Sequence, residues 1–221
     1  MKKSKAILMA LCAVLLVAAS VMGTLAYLTS TDTVTNTFTI GKVEIKLDEA
    51  KANTDGSLVA GAARVDANTY KLMPGHTYNK DPQVHVKADS EPSYIRMLVT
   101  VSDIAKLKAA FPVDKYPTYY SGDVFLLEKL VGGWDSNEWA CNSVNGNEYE
   151  FRYAAGIYTV PADATTEYVD LPKLFTTITI PGTVDATALA NLNQVTITVV
   201  AQAIQADGFD DATDAWDHFS A

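Results

Sequence analysis

The sequence predicts a mainly β domain: a jelly-roll-like β-sandwich with a few short helices, preceded by a cleavable export signal. Three observations carry this expectation. Runs of β-branched and aromatic residues alternate with polar ones at a period of two. Eight prolines and 12 glycines are spread between those runs as turn signals. The N-terminus has a basic, then apolar, then small-residue order. The length of 221 residues suits one sizeable core. With 17 basic against 26 acidic residues, nucleic acid is excluded as a partner class, because phosphate binding needs a basic face.

In chain order, the signal comes first. Lys2, Lys3 and Lys5 precede an apolar run from Ala6 to Val21, in which Ser20 is the one polar residue. Thr24 and Ala26 place small residues at the −3 and −1 positions of a peptidase site, so cleavage is expected before Tyr27. The competing reading, an uncleaved membrane anchor, needs about 20 apolar residues, more than this run supplies. Leu11 ahead of Cys12 argues against lipidation. Loss of residues 1–26 removes three lysines and no acids, taking the net charge from −9 to −12 over 195 residues. Cys141 is then the only cysteine, so no intrachain disulfide can form.

The mature chain divides into residues 27–40 and a β-sandwich domain, 41–221. Val34, Asn36, Phe38 and Ile40 share one parity, whereas Val43, Ile45 and Leu47 share the other, with Gly41 between them. Such a phase switch fits either one bent strand or two strands in different sheets or subunits. Lys51 to Asn68 reads as a long loop or weak hairpin. Tyr78 to Lys87 alternates as a strand, with Pro82 marking an edge or a strand start. His85 falls on its outward parity. Tyr94 to Val101 directs Ile95, Met97, Val99 and Val101 to one face. Asp103 is placed to cap a helix from Ile104 to Ala110, and a turn is expected around Asp123 to Lys129. Asn145-Gly146 signals a hairpin leading to the aromatic face of Tyr149, Phe151 and Tyr153. Phe175 to Ile180 reads as a strand ended by Pro181-Gly182. Asp185 and Asp211 cap further helices at Ala186–Leu192 and Ala212–Phe219. Between these last two, Val195 to Ile204 has the β-branched density of a central strand.

Several of these segments resemble the TasA/camelysin family of secreted bacterial proteins. The resemblance lies in Gly23-Thr24-Leu25-Ala26-Tyr27-Leu28-Thr29 followed by Asn36-Thr37-Phe38-Thr39-Ile40-Gly41. It continues in Leu72-Met73-Pro74-Gly75-His76-Thr77-Tyr78-Asn79-Lys80-Asp81-Pro82, in Leu174-Phe175 through Ile180-Pro181, and from Val195 to Phe209. Order and spacing across most of the chain carry it more than any single motif. The resemblance implies a jelly-roll sandwich, export through the signal peptidase SipW, and a structural role in extracellular biofilm matrix fibres. Its partners would be copies of itself or related matrix subunits, with the membrane met only through the signal peptide. In such fibres each subunit donates its N-terminal strand to the next. Here that assigns Val34, Phe38 and Ile40 to apolar pockets of a neighbour. The same family also implies an alternative, a camelysin-like cell-surface metalloendopeptidase; a monomeric surface adhesin is a further one.

The residues themselves argue for no catalytic chemistry and no cofactor. A zinc protease needs three fixed ligands and an activating carboxylate. The chain has His76, His85 and His218 without the two-histidine helical spacing, so the only candidate metal set is His76, Asp81 and His85 converging across a loop. Cys141 has no histidine near it in sequence and is expected to pack as a small hydrophobe. Asp207, Asp210, Asp211, Asp214 and Asp217 lack the alternating pattern of a calcium loop, and fit helix capping. Trp134 and Trp139 are expected in the core rather than on a sugar-binding platform.

Overall fold

The computed structural model describes residues 41–219, so the signal, the cleavage residues Thr24, Ala26 and Tyr27, and the segment 27–40 lie outside the described residues. Twelve strands are described: β1 (Ile45–Asp48), β2 (Thr77–Asn79), β3 (Gln83–Lys87), β4 (Ser93–Val101), β5 (Tyr120–Ser121), β6 (Val124–Phe125), β7 (Val131–Gly132), β8 (Trp139–Asn145), β9 (Glu148–Tyr158), β10 (Tyr168–Asp170), β11 (Thr177–Thr179) and β12 (Ile197–Gln205). Three short helices accompany them, α1 (Ile104–Ala110), α2 (Ala186–Asn191) and α3 (Ala212–Asp217). Two 3-10 turns cover Pro117–Tyr119 and Leu127–Lys129. The strands pair antiparallel in the orders β12-β4-β9-β8, β1-β3-β10 and β2-β11-β7, beside a small β5-β6 hairpin.

Three of the sheets feed one core. The inward parity of β4 sends Ile95, Met97, Val99 and Val101 into it, with Val84 and Val86 from β3, Tyr149 and Phe151 from β9, and Ile178 from β11. This is the two-residue period read from the sequence, realised as burial. The helices begin at the expected aspartates: Asp103 accepts from the Lys106 amide, Asp185 from the Ala188 amide, and Asp211 from the Thr213 and Asp214 amides. α2 and α3 stop short of the expected ends, at Asn191 and Asp217. In the β8–β9 hairpin Asn145 pairs with Glu148, so the turn residues are Gly146 and Asn147. Gly146 takes the left-handed φ of +62° that a tight hairpin turn needs at its first central position.

Three expectations need correction. The single strand from Tyr78 to Lys87 is two strands in different sheets, because Pro82, with no N–H to donate, sits where the chain crosses between them. The segment Phe175 to Ile180 keeps only Thr177–Thr179 in the ladder. Most consequentially, β12 is not central among the described strands. Among the described residues it pairs with β4 alone and forms one edge of its sheet. Its β-branched density serves burial from one face, not pairing on both sides.

Residues 49–72 form a strap rather than a hairpin, closed by two isolated bridges, Glu49 with Val65 and Ala52 with Leu58. Gly56 docks it on β2. A Cβ there would come within 2.6 Å of the Tyr78 backbone, and its carbonyl accepts from the Asn79 amide at 3.1 Å. No helix among the described residues is long and apolar enough to cross a membrane.

Candidate functional site

The free side of β12 is the feature around which a site can be built. The Ser102 amide donates to the Thr196 carbonyl at 2.9 Å, and the Ala206 amide to the Pro92 carbonyl at 2.8 Å. Both bonds fall on even-numbered residues of the β12 line, so the even residues turn their backbone groups toward β4. Ile197, Val199, Ala201 and Ala203 therefore turn theirs away from it. Among the described residues, no backbone group pairs with them there. The side chains of these same four residues lean on the core but stay only partly buried. An edge strand with unmet backbone groups and half-covered apolar side chains is a template for another strand.

A groove of about 970 Å³ runs beside the first half of this edge. Leu47, Leu72, Leu189, Leu192, Ile197 and Val199 give it an apolar floor. One wall is the end of the strap, from Asp66 to Leu72, and Asp48, Glu49, Lys71 and Lys80 add charges around it. An extended peptide laid here would gain backbone bonds from β12 and apolar contacts from the groove.

Behind the strap lies a network of charges that the sequence analysis missed. Arg64 bonds the Asp48 carboxylate and carbonyl, and reaches the Asp81 carboxylate at 3.2 Å and its carbonyl at 3.0 Å. Lys173 pairs with Asp81 at 2.6 Å and Lys80 with Glu49 at 2.6 Å. Burial pushes the Asp48 carboxyl up in pKa, but hydrogen bonds from Arg64, His85 and Lys46 outweigh it and hold it at about 2. Asp81 is likewise raised by burial and lowered on balance by Lys173, the Ala50 amide and Arg64. The chain has three arginines, and each pairs with a carboxylate in this way. A lone Arg in a polar loop gave no sequence signal, because its partners lie 16 and 17 residues away.

The candidate metal set does not assemble. His76 is exposed and packs near the Tyr78 ring, with centroids 6.3 Å apart. Asp81 is occupied by Arg64 and Lys173. His85 is not the outward, solvated residue expected from strand parity. It is buried in the central strand of its sheet, 2.8 Å from Asp48 and 2.6 Å from Asp170. Carboxylates on both flanking strands cover it. Among the described residues no group of three His, Cys, Asp or Glu side chains is arranged to hold a metal ion, and the guanidinium of Arg64 already lies between the buried acids.

The remaining residues fall out simply. Cys141 is exposed, contrary to expectation. Partial burial of its sulfur, then the Glu128 and Glu150 carboxylates, push the thiol up in pKa, away from nucleophile behaviour. Trp139 is buried and donates to the Pro172 carbonyl at 2.9 Å, while Trp134 donates to the Trp139 carbonyl at 2.7 Å. Asp211 and Asp214 are engaged at the start of α3. His218 is exposed beside Asp214. Val34, Phe38 and Ile40 lie outside the described residues. Comparison with known proteins finds no match to a family model, to a curated protein or to a solved structure.

Proposed function

We propose that the mature chain is a secreted structural subunit of an extracellular matrix that assembles into fibres by strand donation. Residues 27–40, freed by cleavage between Ala26 and Tyr27, would pair with the outward edge of β12 in the next subunit. Val34, Phe38 and Ile40 would enter its groove. The observation that carries this reading is the coincidence of backbone groups at Ile197, Val199, Ala201 and Ala203 that have no partner among the described residues with an apolar groove along the same edge. The resemblance to the TasA/camelysin family supports it, as does a core fed by several antiparallel sheets, which suits a jelly roll.

The Glu91 amide donates to the Lys42 carbonyl and the Lys87 amide to the Glu44 carbonyl, which fixes the start of the described chain at the end of β3. The groove begins at Leu47, roughly 20 Å further along an extended chain. A segment given by each subunit to the next makes a head-to-tail contact. Such a head-to-tail contact generates open filaments rather than closed rings. Deletion of residues 27–40 is expected to leave a folded monomer that forms no fibres by electron microscopy. Fibres of normal appearance from that variant would sink the reading.

A further inference from the structure

We propose that the strap 49–72 is a gate on the groove and that Arg64 is the bolt that holds it shut. The proposal rests on the strand-acceptor reading and adds a control element to it.

Apart from Tyr70 and Leu72 at its end, which pack against the core, the strap has little apolar hold on the domain. From Lys51 to Thr69 only Ala52 and Gly56 are buried, and Leu58 and Val59 at its tip are 54% and 37% exposed. A segment with so little buried apolar surface opens at low free-energy cost unless polar contacts pin it. The outgoing limb is held by the Gly56 carbonyl, which accepts from the Asn79 amide and side chain, by the Ala50 amide on Asp81 and by Lys80 on Glu49. The side-chain bonds of the return limb, by contrast, centre on Arg64 and Asn68. Arg64 makes four bonds to Asp48 and Asp81, joining the return limb of the strap to the end of β1 and to the crossing before β3. Asn68 receives the Ala52 amide and donates to Glu49 and to the Ala50 carbonyl, which ties the strap mainly to itself. Arg64 alone bridges the return limb to Asp81, and both its acids are almost fully buried, so the bond network is well shielded from water.

Position gives the strap its control. Val65, next to the bolt, exchanges both backbone bonds with Glu49, at 2.9 and 2.8 Å. That is the place on the β1 side of the groove where an arriving strand would extend. The following residues, from Asp66, form the groove wall. With Arg64 engaged, the strap occupies this edge and narrows the groove; with Arg64 released, both become accessible. Tyr70 anchors the hinge side, its hydroxyl donating to the Asn79 carbonyl at 2.6 Å.

Arg64→Gln removes the charge while keeping a polar side chain; Arg64→Lys keeps the charge but not the fork. Three readouts are taken on the full mature chain. Amide hydrogen exchange at Val59 and Val65 is expected to rise about tenfold or more in Arg64→Gln, with β4 unchanged. Fluorescence of an anilinonaphthalene sulfonate dye should rise as the groove opens. Fibre growth from preformed seeds should speed up several-fold, with Arg64→Lys between the two. Unchanged exchange at Val59 and Val65 overturns the gate. So does faster exchange with unchanged or slower growth from seeds. If exchange and dye binding rise but neither protein ever forms fibres, the strand-donation reading fails and the gate on the groove stands. Loss of β4 protection in Arg64→Gln would show that Arg64 holds the whole domain rather than a gate, and would also overturn it.

Discussion

The two edges of the four-stranded sheet are treated in opposite ways. At β8 the register slips between Cys141 and Ser143, so Asn142 is an extra residue and the strand is bulged. The residues around it, Cys141, Asn142 and Ser143, are exposed, and the Asn142 and Ser143 side chains are turned back onto Glu150 at 3.2 and 3.0 Å. At β12 nine residues pair with β4 without a slip, and the strand holds no charge, no proline and no glycine. Bulges and polar side chains guard a sheet edge against unwanted pairing, and a long regular apolar edge invites it. Among the described residues, one edge of this sheet is guarded and the other is open. That difference, more than the fold itself, is what the proposed assembly rests on.

The sharpest way to break the comparison is to put the same charge on both edges. Val199→Lys places an ammonium where the side chain leans on the core at the groove floor. Fibre formation is expected to be lost, with the critical concentration raised at least about a hundredfold, equivalent to roughly 3 kcal/mol. Ser143→Lys on the bulged edge should leave fibres unchanged. Sedimentation of both variants, with circular dichroism to establish that they fold, decides the matter. Equal loss from the two substitutions would mean that the edges do not differ.

The difference between the edges was only half legible in the sequence. Alternation identified the inward residues of β4 and β9 because side-chain parity is a local property of an extended chain. The aspartate caps of all three helices were legible for the same reason. Whether a strand is central or at an edge depends on which other strand arrives beside it, and Val195 to Ile204 carries no local mark of that. The bulge at Asn142 left no mark in the sequence: it lets Trp139 and Val144, five residues apart, both pack on the core, which one unbroken strand cannot do. His85 was misjudged because parity tells which face a residue takes, not what lies on that face. Arg64 was invisible because an ion pair across a loop leaves no periodic trace.

Acid separates the two sides by a smaller effect. Asp48, held at about 2 against an unfolded value of about 3.9, adds stability that is complete above pH 4 to 5 and is lost as the pH falls toward 2. The shift is equivalent to roughly 2–3 kcal/mol, and the lowered Asp81 carboxyl acts in the same direction. Urea unfolding between pH 7 and pH 2 should show that loss in the wild type and a flatter profile in Asp48→Asn. Glu150, beside the guarded edge, is also lowered on balance, with burial opposing and Arg152 leading the bonds that hold the charge. The difference between the wild-type and Asp48→Asn profiles therefore isolates the part of the acid response that belongs to Asp48.

The smallest effect is expected one residue from the largest. Val200 is 45% exposed, and its parity sends its side chain to the face opposite the groove, with its backbone groups toward β4. Val200→Lys removes little buried apolar surface and leaves the outward amides of Val199 and Ala201 as they were. Stability should change by no more than about 0.5 kcal/mol, and the critical concentration for fibres by a few-fold at most. Val199 and Val200 have the same composition, the same strand and nearly the same position, so general stickiness of β12 predicts the same outcome for both. Pairing at the outward edge predicts opposite outcomes, because only Val199 combines a free backbone with a side chain in the groove. Thermal unfolding and sedimentation of the two lysine variants side by side distinguish an adhesive edge from a merely apolar strand.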